Sequence, residues 1–225
     1  TACWDRGIGM DSIRGIFVTH EHSDHTAGLR VLQKRFGIPI FASRGTRAGL
    51  IEGGVLPADA DCRIMENAVE LAGLQVMFFR TPHDSRESTG YRVSSSDGRT
   101  LAVATDMGHM TDEVRTALYG CDLVLIESNH DIRMLENGPY PYVLKRRILA
   151  STGHLSNDAC SVELPELIRR GTTRLFLAHL SKENNSPELA YITAQSALVE
   201  AGMRAEVDFV LRVAPRTDLE PMMVF

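Results

Sequence analysis

The sequence predicts a layered α/β fold, and three observations carry that expectation. Short runs of β-branched and aromatic residues alternate with segments of helical periodicity, which points to strands and helices in layers rather than a helical bundle or an all-β sandwich. Four strand-like runs lead directly to a histidine or an aspartate: "IFVTH" to His20, "VMFFRTPH" to His83, "LAVATD" to Asp106 and "RLFLAH" to His179. Strand ends along one sheet rim are where layered folds collect functional groups. Finally, no repeat of solenoid length and no low-complexity linker interrupts the chain, so a single domain over residues 1–225 is expected.

The elements follow in order. Ile16 to Thr19 reads as a buried strand, and "TAGLRVLQKRF" spaces Leu29, Leu32 and Phe36 as a helix that Gly37 stops. "IPIFA" is a second short strand, followed by a short helix in "GTRAGLIEGG". Arg63 to Arg80 is strand-like and ends in "LQVMFFR". "YRVSSSDGRTLAVATD" places two extended arms around Ser96-Asp97-Gly98, a hairpin signal. A helix from Thr111 to Tyr119 leads to the apolar strand "DLVLIE". "PYVLKRRILA" and "SNDACSVELPELIRRG" read as helices, "RLFLA" as a strand and "SPELAYITAQSALVEAG" as an amphipathic helix with a glycine stop.

Composition narrows the function classes. With 24 Lys plus Arg against 29 Asp plus Glu, the chain has no overall basic surplus that would mark a nucleic-acid or membrane-surface protein, although a local basic groove stays open. Cys3, Cys62, Cys121 and Cys160 are widely separated and form no CxxC pair, so buried reduced thiols are expected rather than a disulfide framework or a thiolate zinc site. There is neither a leader-like start nor an apolar run of bilayer length, which makes a cytoplasmic protein the expectation. The chain opens on Thr1 and reaches its densest motif within about twenty residues, as a trimmed chain would.

That motif, "THEHSDH", carries the chemistry. In an extended segment residues two apart point the same way, so His20 and His22 can reach one ion together, while Asp24 and His25, past the bend, face a neighbouring position. Two adjacent cations explain the crowding better than one. A mixed imidazole and carboxylate set suits zinc first, then manganese or iron. Further donors are expected from the strand ends: His83 for the first ion, His179 for the second and Asp106 shared between them. Each has a plain structural alternative, His83 as a turn residue, Asp106 as a helix cap and His179 as a satisfied strand-end imidazole.

"THEHSDH", with later single His, Asp and His at strand ends, resembles the metallo-β-lactamase superfamily. The resemblance implies an αββα sandwich with a dinuclear metal centre on one edge, in which His20, His22 and His83 hold one ion, Asp24, His25 and His179 the other, and Asp106 bridges. "LIESNHDIRMLENGPYPYVLKRRILASTGHLSNDACS" and "LAHLSKENN" are similar to the YycJ/WalJ-type branch, which implies a cytoplasmic exonuclease or phosphodiesterase. Members begin with two or so further strands that nothing here matches, so the sandwich is expected to lack its N-terminal strands in this chain.

Two close cations can hold a shared water and present it as a bridging hydroxide at ordinary pH, which suits a phosphodiester and equally a lactone or β-lactam carbonyl. Nucleic acid or a small phosphodiester is the expected substrate, with a lactonase or β-lactamase as the alternative. Asp24 is expected to orient the nucleophile as well as bind metal. His154 in "STGHLSN" occupies the place where phosphodiesterase relatives keep an additional imidazole, and is expected to contact the phosphate or protonate the departing oxygen; capping the next helix is its alternative. Glu127 and His130 of "ESNHD" are expected to support the ligands from behind, and His109 to be a surface or supporting group. Arg133, Lys145, Arg146 and Arg147 are candidates for guiding a polyanionic strand, or else a solvated helix face. No GxSxG elbow or P-loop is present.

Overall fold

The computed structural model describes residues 5–215; Cys3, expected as a buried thiol, lies outside them. Two sheets form. The smaller is parallel throughout, in the order β1 (Ile16–Phe17), β2 (Ile40–Ala42), β3 (Cys62–Ile64). In the larger, β4 (Ala68–Leu71), β5 (Leu74–Arg80), β6 (Thr89–Ser95) and β7 (Thr100–Ala104) run as an antiparallel meander. It continues in parallel through β8 (Leu123–Glu127), β9 (Arg174–Ala178) and β10 (Val210–Val213).

Alternation along β2 explains how the sheets meet. Ile40 and Ala42 turn outward onto Leu29 and Leu50, whereas Phe41 turns inward onto Val76 and Tyr91 of the larger sheet. Phe17 stacks on Phe41 with ring centroids 4.9 Å apart and meets Tyr91 edge-on at 5.6 Å. The Tyr91 hydroxyl donates to the Val18 carbonyl at 2.6 Å, tying the strand that leads to His20 onto the other sheet. Burying each such ring contributes about 1.5–3 kcal/mol.

Helices cover both outer faces. After a single turn, α1 (Ser23–Thr26), come α2 (Leu29–Phe36) and α3 (Arg44–Glu52), which give Leu29 and Leu50 to the small sheet. Gly37 ends α2 in the left-handed region at φ 64°, and the Ser43 side chain caps α3 by accepting from Thr46 N. On the large sheet, Ala102, Val124, Ile126, Leu175 and Leu177 bury against α4 (Asp112–Leu118), with α5 (Ile132–Asn137) and α6 (Tyr142–Ile148) following as an insert before the next covering helices. Those are α7 (Asn157–Ser161), α8 (Leu164–Arg169) and α9 (Pro187–Glu200), the last capped by Ser186. The layering is helix, sheet, sheet, helix.

Three expectations are refined. The stretch from Arg63 to Arg80 holds three strands, β4 and β5 being joined through Ala72 and Gly73, both at positive φ. "SNDACSVELPELIRRG" makes two helices instead of one, because Pro165 has no N–H to bond back into the preceding turn. The edge strand β10, unanticipated, pairs with β9 in register Leu211 to Leu175. Cys62, Cys121 and Cys160 are buried free thiols, as expected. Among the described residues no helix is long and apolar enough to cross a membrane.

Candidate metal centre

The parallel strands β7, β8 and β9 end side by side, so Glu127, the last residue of β8, and Asp106 and His179, just past β7 and β9, reach one rim. Val18 N donates to Phe41 O at 2.9 Å and holds the first histidine segment over the same edge, while Thr89 N donates to Thr19 O at 3.0 Å. His83 follows β5. Histidines and acids from residue 20 to residue 179 thus converge.

Their donor atoms gather in four overlapping groups, each within 4.8 Å: His20, His22 and His83; His20, His25 and Asp106; Asp24, His25 and His179; and Asp106, Glu127, His154 and His179. His22 Nδ1 and His83 Nε2 face each other at 3.3 Å. His83 Nδ1 donates to the Gly153 carbonyl at 3.1 Å, which leaves the Nε2 lone pair for the centre. Asp106 sits in the middle, its Oδ1 3.8 Å from His83 Nε2 and 3.6 Å from His179 Nε2, its Oδ2 3.4 Å from His25 Nε2.

Two atoms test whether these residues fit cations. His20 Nε2 and Asp106 Oδ2 are buried without a hydrogen-bond partner. A buried polar atom left unpaired is costly, and both point into a group of donors suited to a divalent ion. The residues present therefore fit.

Glu127 explains how the rim is held. Fully buried, it accepts four hydrogen bonds: His154 Nδ1 at 2.8 Å and His179 Nδ1 at 2.7 Å on Oε1, Met107 N at 2.9 Å and Leu155 N at 3.1 Å on Oε2. With its acceptor sites filled it fixes the orientation of the His154 and His179 rings. Asp106 and His179 adopt φ 58°, a left-handed conformation that costs a non-glycine residue about 1–3 kcal/mol. The peptide after Asp106 is anchored by the Met107 bond to Glu127, and the His179 carbonyl accepts from Asn129 Nδ2 at 2.7 Å.

Burial pushes His20 down to about 3 and lowers His83, keeping both rings neutral and ligand-ready. For His179 burial is outweighed by the Glu127 hydrogen bond and the Asp106 and Glu127 charges, which raise it to about 9. Burial likewise opposes ionisation of Asp106 and Glu127, yet the surrounding imidazoles hold both below the usual carboxylate range.

The remaining candidates divide. Asp24 is exposed at the mouth, 3.6 Å from His25 Nε2. His154 lines a cleft of about 270 Å³ beside His179. His130 is buried but neither ring nitrogen finds a partner, so its side chain makes no hydrogen bond to the centre. His109 is exposed and bonds the Ser151 carbonyl. Of the four basic residues only Arg147 lines the cleft, and Asp84 engages it with bonds of 2.5 and 3.1 Å. Lys145 donates to the Glu136 carbonyl, Arg146 lies 6.0 Å from the Tyr142 ring, and Arg133 is exposed on α5. Sequence reasoning did not single out Asp84, Asn129, Tyr140 or Lys182, which also line this cleft. Lys182 lies within "HLSKENN", the block already noted for its similarity to one branch.

Residues 5–180 match the family model described as the beta-lactamase superfamily domain. The chain belongs to the metallo-β-lactamase superfamily. Within the superfamily it is 35% identical over 197 residues to the exodeoxyribonuclease YycJ of Bacillus anthracis, covering 87% of this chain and 74% of that protein. It is 32% identical over 203 residues to the exodeoxyribonuclease WalJ of Streptococcus pneumoniae strain D39, covering 88% and 75%. The metallo-beta-lactamase fold protein YhfI of Bacillus subtilis superposes with a TM-score of 0.66 at 16% identity, covering 94% of this chain and 78% of that one, a likeness of fold. These similarities place the chain with the YycJ/WalJ-type branch of the superfamily.

Proposed function

We propose that this chain is a dinuclear metal-dependent phosphodiesterase that acts as an exonuclease on nucleic-acid ends. The observation that carries the reading is the convergence of His83, His25 and His179 on the single carboxylate of Asp106, with its unpaired Oδ2. The names of the relatives at 35% and 32% identity supply the substrate class.

In this reading His20, His22 and His83 hold one ion, Asp24, His25 and His179 the other, and Asp106 is shared, with zinc the first choice for an imidazole-rich set. The cations, when bound, supply Lewis acidity that acidifies water and neutralises charge on phosphate oxygens. The rest is work for the chain. Glu127 fixes Nδ1–H of both His154 and His179, so His179 presents Nε2 inward while His154 presents Nε2 to the cleft. A proton passed from His154 Nε2 to the departing oxygen would leave a neutral ring still anchored through Nδ1. Asp24, exposed beside His25, would accept a hydrogen bond from the attacking water.

Elemental analysis of purified protein, with hydrolysis of labelled oligonucleotides, bis-p-nitrophenyl phosphate, a lactone and a cephalosporin, tests the reading. Phosphodiester turnover abolished by His20→Ala and strongly reduced by His154→Ala is expected. Turnover of the lactone or cephalosporin alone would replace the reading with a carbonyl hydrolase, and unchanged phosphodiester turnover in His154→Ala would remove that residue's role. Salt-sensitive binding of single-stranded DNA, lost on reversing the charges of Lys145, Arg146 and Arg147, is expected if they guide the strand.

A further inference from the structure

The cleft beside the centre has two unlike walls. Tyr140, Leu144 and Ile148, all from the insert, give it an aromatic and aliphatic side. Lys182 stands on the polar side. The cleft's two cationic residues differ in availability: Arg147 is paired with Asp84, whereas Lys182 is exposed and has no ion pair among the described residues. At about 270 Å³ the cleft falls just below the usual ligand-pocket range of ~300–1,000 Å³, so it suits one nucleotide rather than a duplex.

His154 and His179 belong both to the cleft and to the metal centre. A phosphate held at the centre would therefore border this cleft. A tyrosine ring stacks any base, because every base has a π face, and an unpaired lysine at the rim answers a second phosphate. Resting on the phosphodiesterase reading, we propose that this cleft is a subsite for the terminal nucleotide of a phosphorylated nucleic-acid end, with Tyr140 stacking the base and Lys182 binding the terminal phosphate. The residues that recognise the end are thereby separate from those that hold the ions.

The subsite is read by binding, without turnover. Thymidine 3′,5′-bisphosphate, thymidine 5′-monophosphate and thymidine 3′-monophosphate are titrated calorimetrically into zinc-loaded protein. The bisphosphate is expected to bind about tenfold more tightly than either monophosphate, an advantage erased by Lys182→Gln and kept by Lys182→Arg. Tyr140→Ala is expected to weaken all three ligands about tenfold and Tyr140→Phe to restore them, which separates lost stacking from lost folding. Equal affinity of wild type and K182Q for the bisphosphate, or of wild type and Y140A for all three, overturns the subsite. Loss of affinity in these variants, in a protein that cleaves no oligonucleotide, keeps the subsite and removes the nuclease reading.

Discussion

His154 and His179 aim their Nδ1–H groups at the same oxygen of Glu127, at 2.8 and 2.7 Å. One buried carboxylate therefore sets the tautomer of an imidazole that lines the cleft and of one whose Nε2 faces Asp106. Glu127→Gln removes the charge and turns one end of the group into a donor that must meet other donors. Zinc affinity is expected to fall by about 10–100-fold, together with the thermal midpoint. Equilibrium dialysis that finds wild-type affinity in this variant would contradict the account.

Asp106→Asn keeps the shape of the central side chain but replaces one oxygen with a donor and removes the negative charge that four histidines face. Metal content measured after gel filtration is expected to drop, because neither site retains its common carboxylate. Full occupancy in D106N would show that the other donors suffice.

The metal-free protein should lose stability toward both acid and base, through different histidines. Burial depresses His20 to about 3 and His130 to about 4, while the unfolded chain protonates these rings near 6.5, so stability falls as pH drops below 6.5. His179, raised to about 9 against its burial by Glu127 and Asp106, contributes fully below 6.5 and loses its contribution as pH rises through 9. Chelator-treated protein is expected to be most resistant to urea near pH 6.5, declining on both sides. A flat midpoint across that range would count against it.

Gly153 couples two parts of the centre. Its carbonyl accepts from His83 Nδ1 at 3.1 Å, it directly precedes His154, and an added Cβ would sit 2.1 Å from the Ile148 carbonyl. Gly153→Ala is expected to destabilise the fold by ~1–3 kcal/mol, as overpacking does, and to lower both zinc affinity and phosphodiester turnover. Loss of stability alone, with a wild-type centre, would show that the turn at Gly153 can shift without disturbing His83 or His154.

The framework was legible where chemistry and periodicity agree. His20, His83, Asp106 and His179 each follow an apolar run, and the parallel pairing of β7, β8 and β9 brings the ends that carry Asp106 and His179 together, so the layering and part of the convergence could be anticipated from "IFVTH", "LAVATD" and "RLFLAH". The two-helix break at Pro165 was readable from the missing N–H but was masked by the helical composition around it. Tyr140, Asp84 and Lys182 were not readable in this way, because a cleft wall assembled from a loop, a helix and a distant strand end has no spacing of its own. Even the expected guide Arg147 could not be seen to be engaged by Asp84, a residue 63 positions away.

The spread of donors from His20 to His179 has a consequence during synthesis. The first histidines leave the ribosome long before the last, roughly 10–30 s ahead at ordinary elongation rates. In that interval the nascent chain displays His20, His22 and His25 without Asp106 or His179, and any ion captured then is held by an unfinished site. The complete set of donors thus exists only after residue 179 has been made, and an ion captured earlier must be shared out anew as the later strands dock.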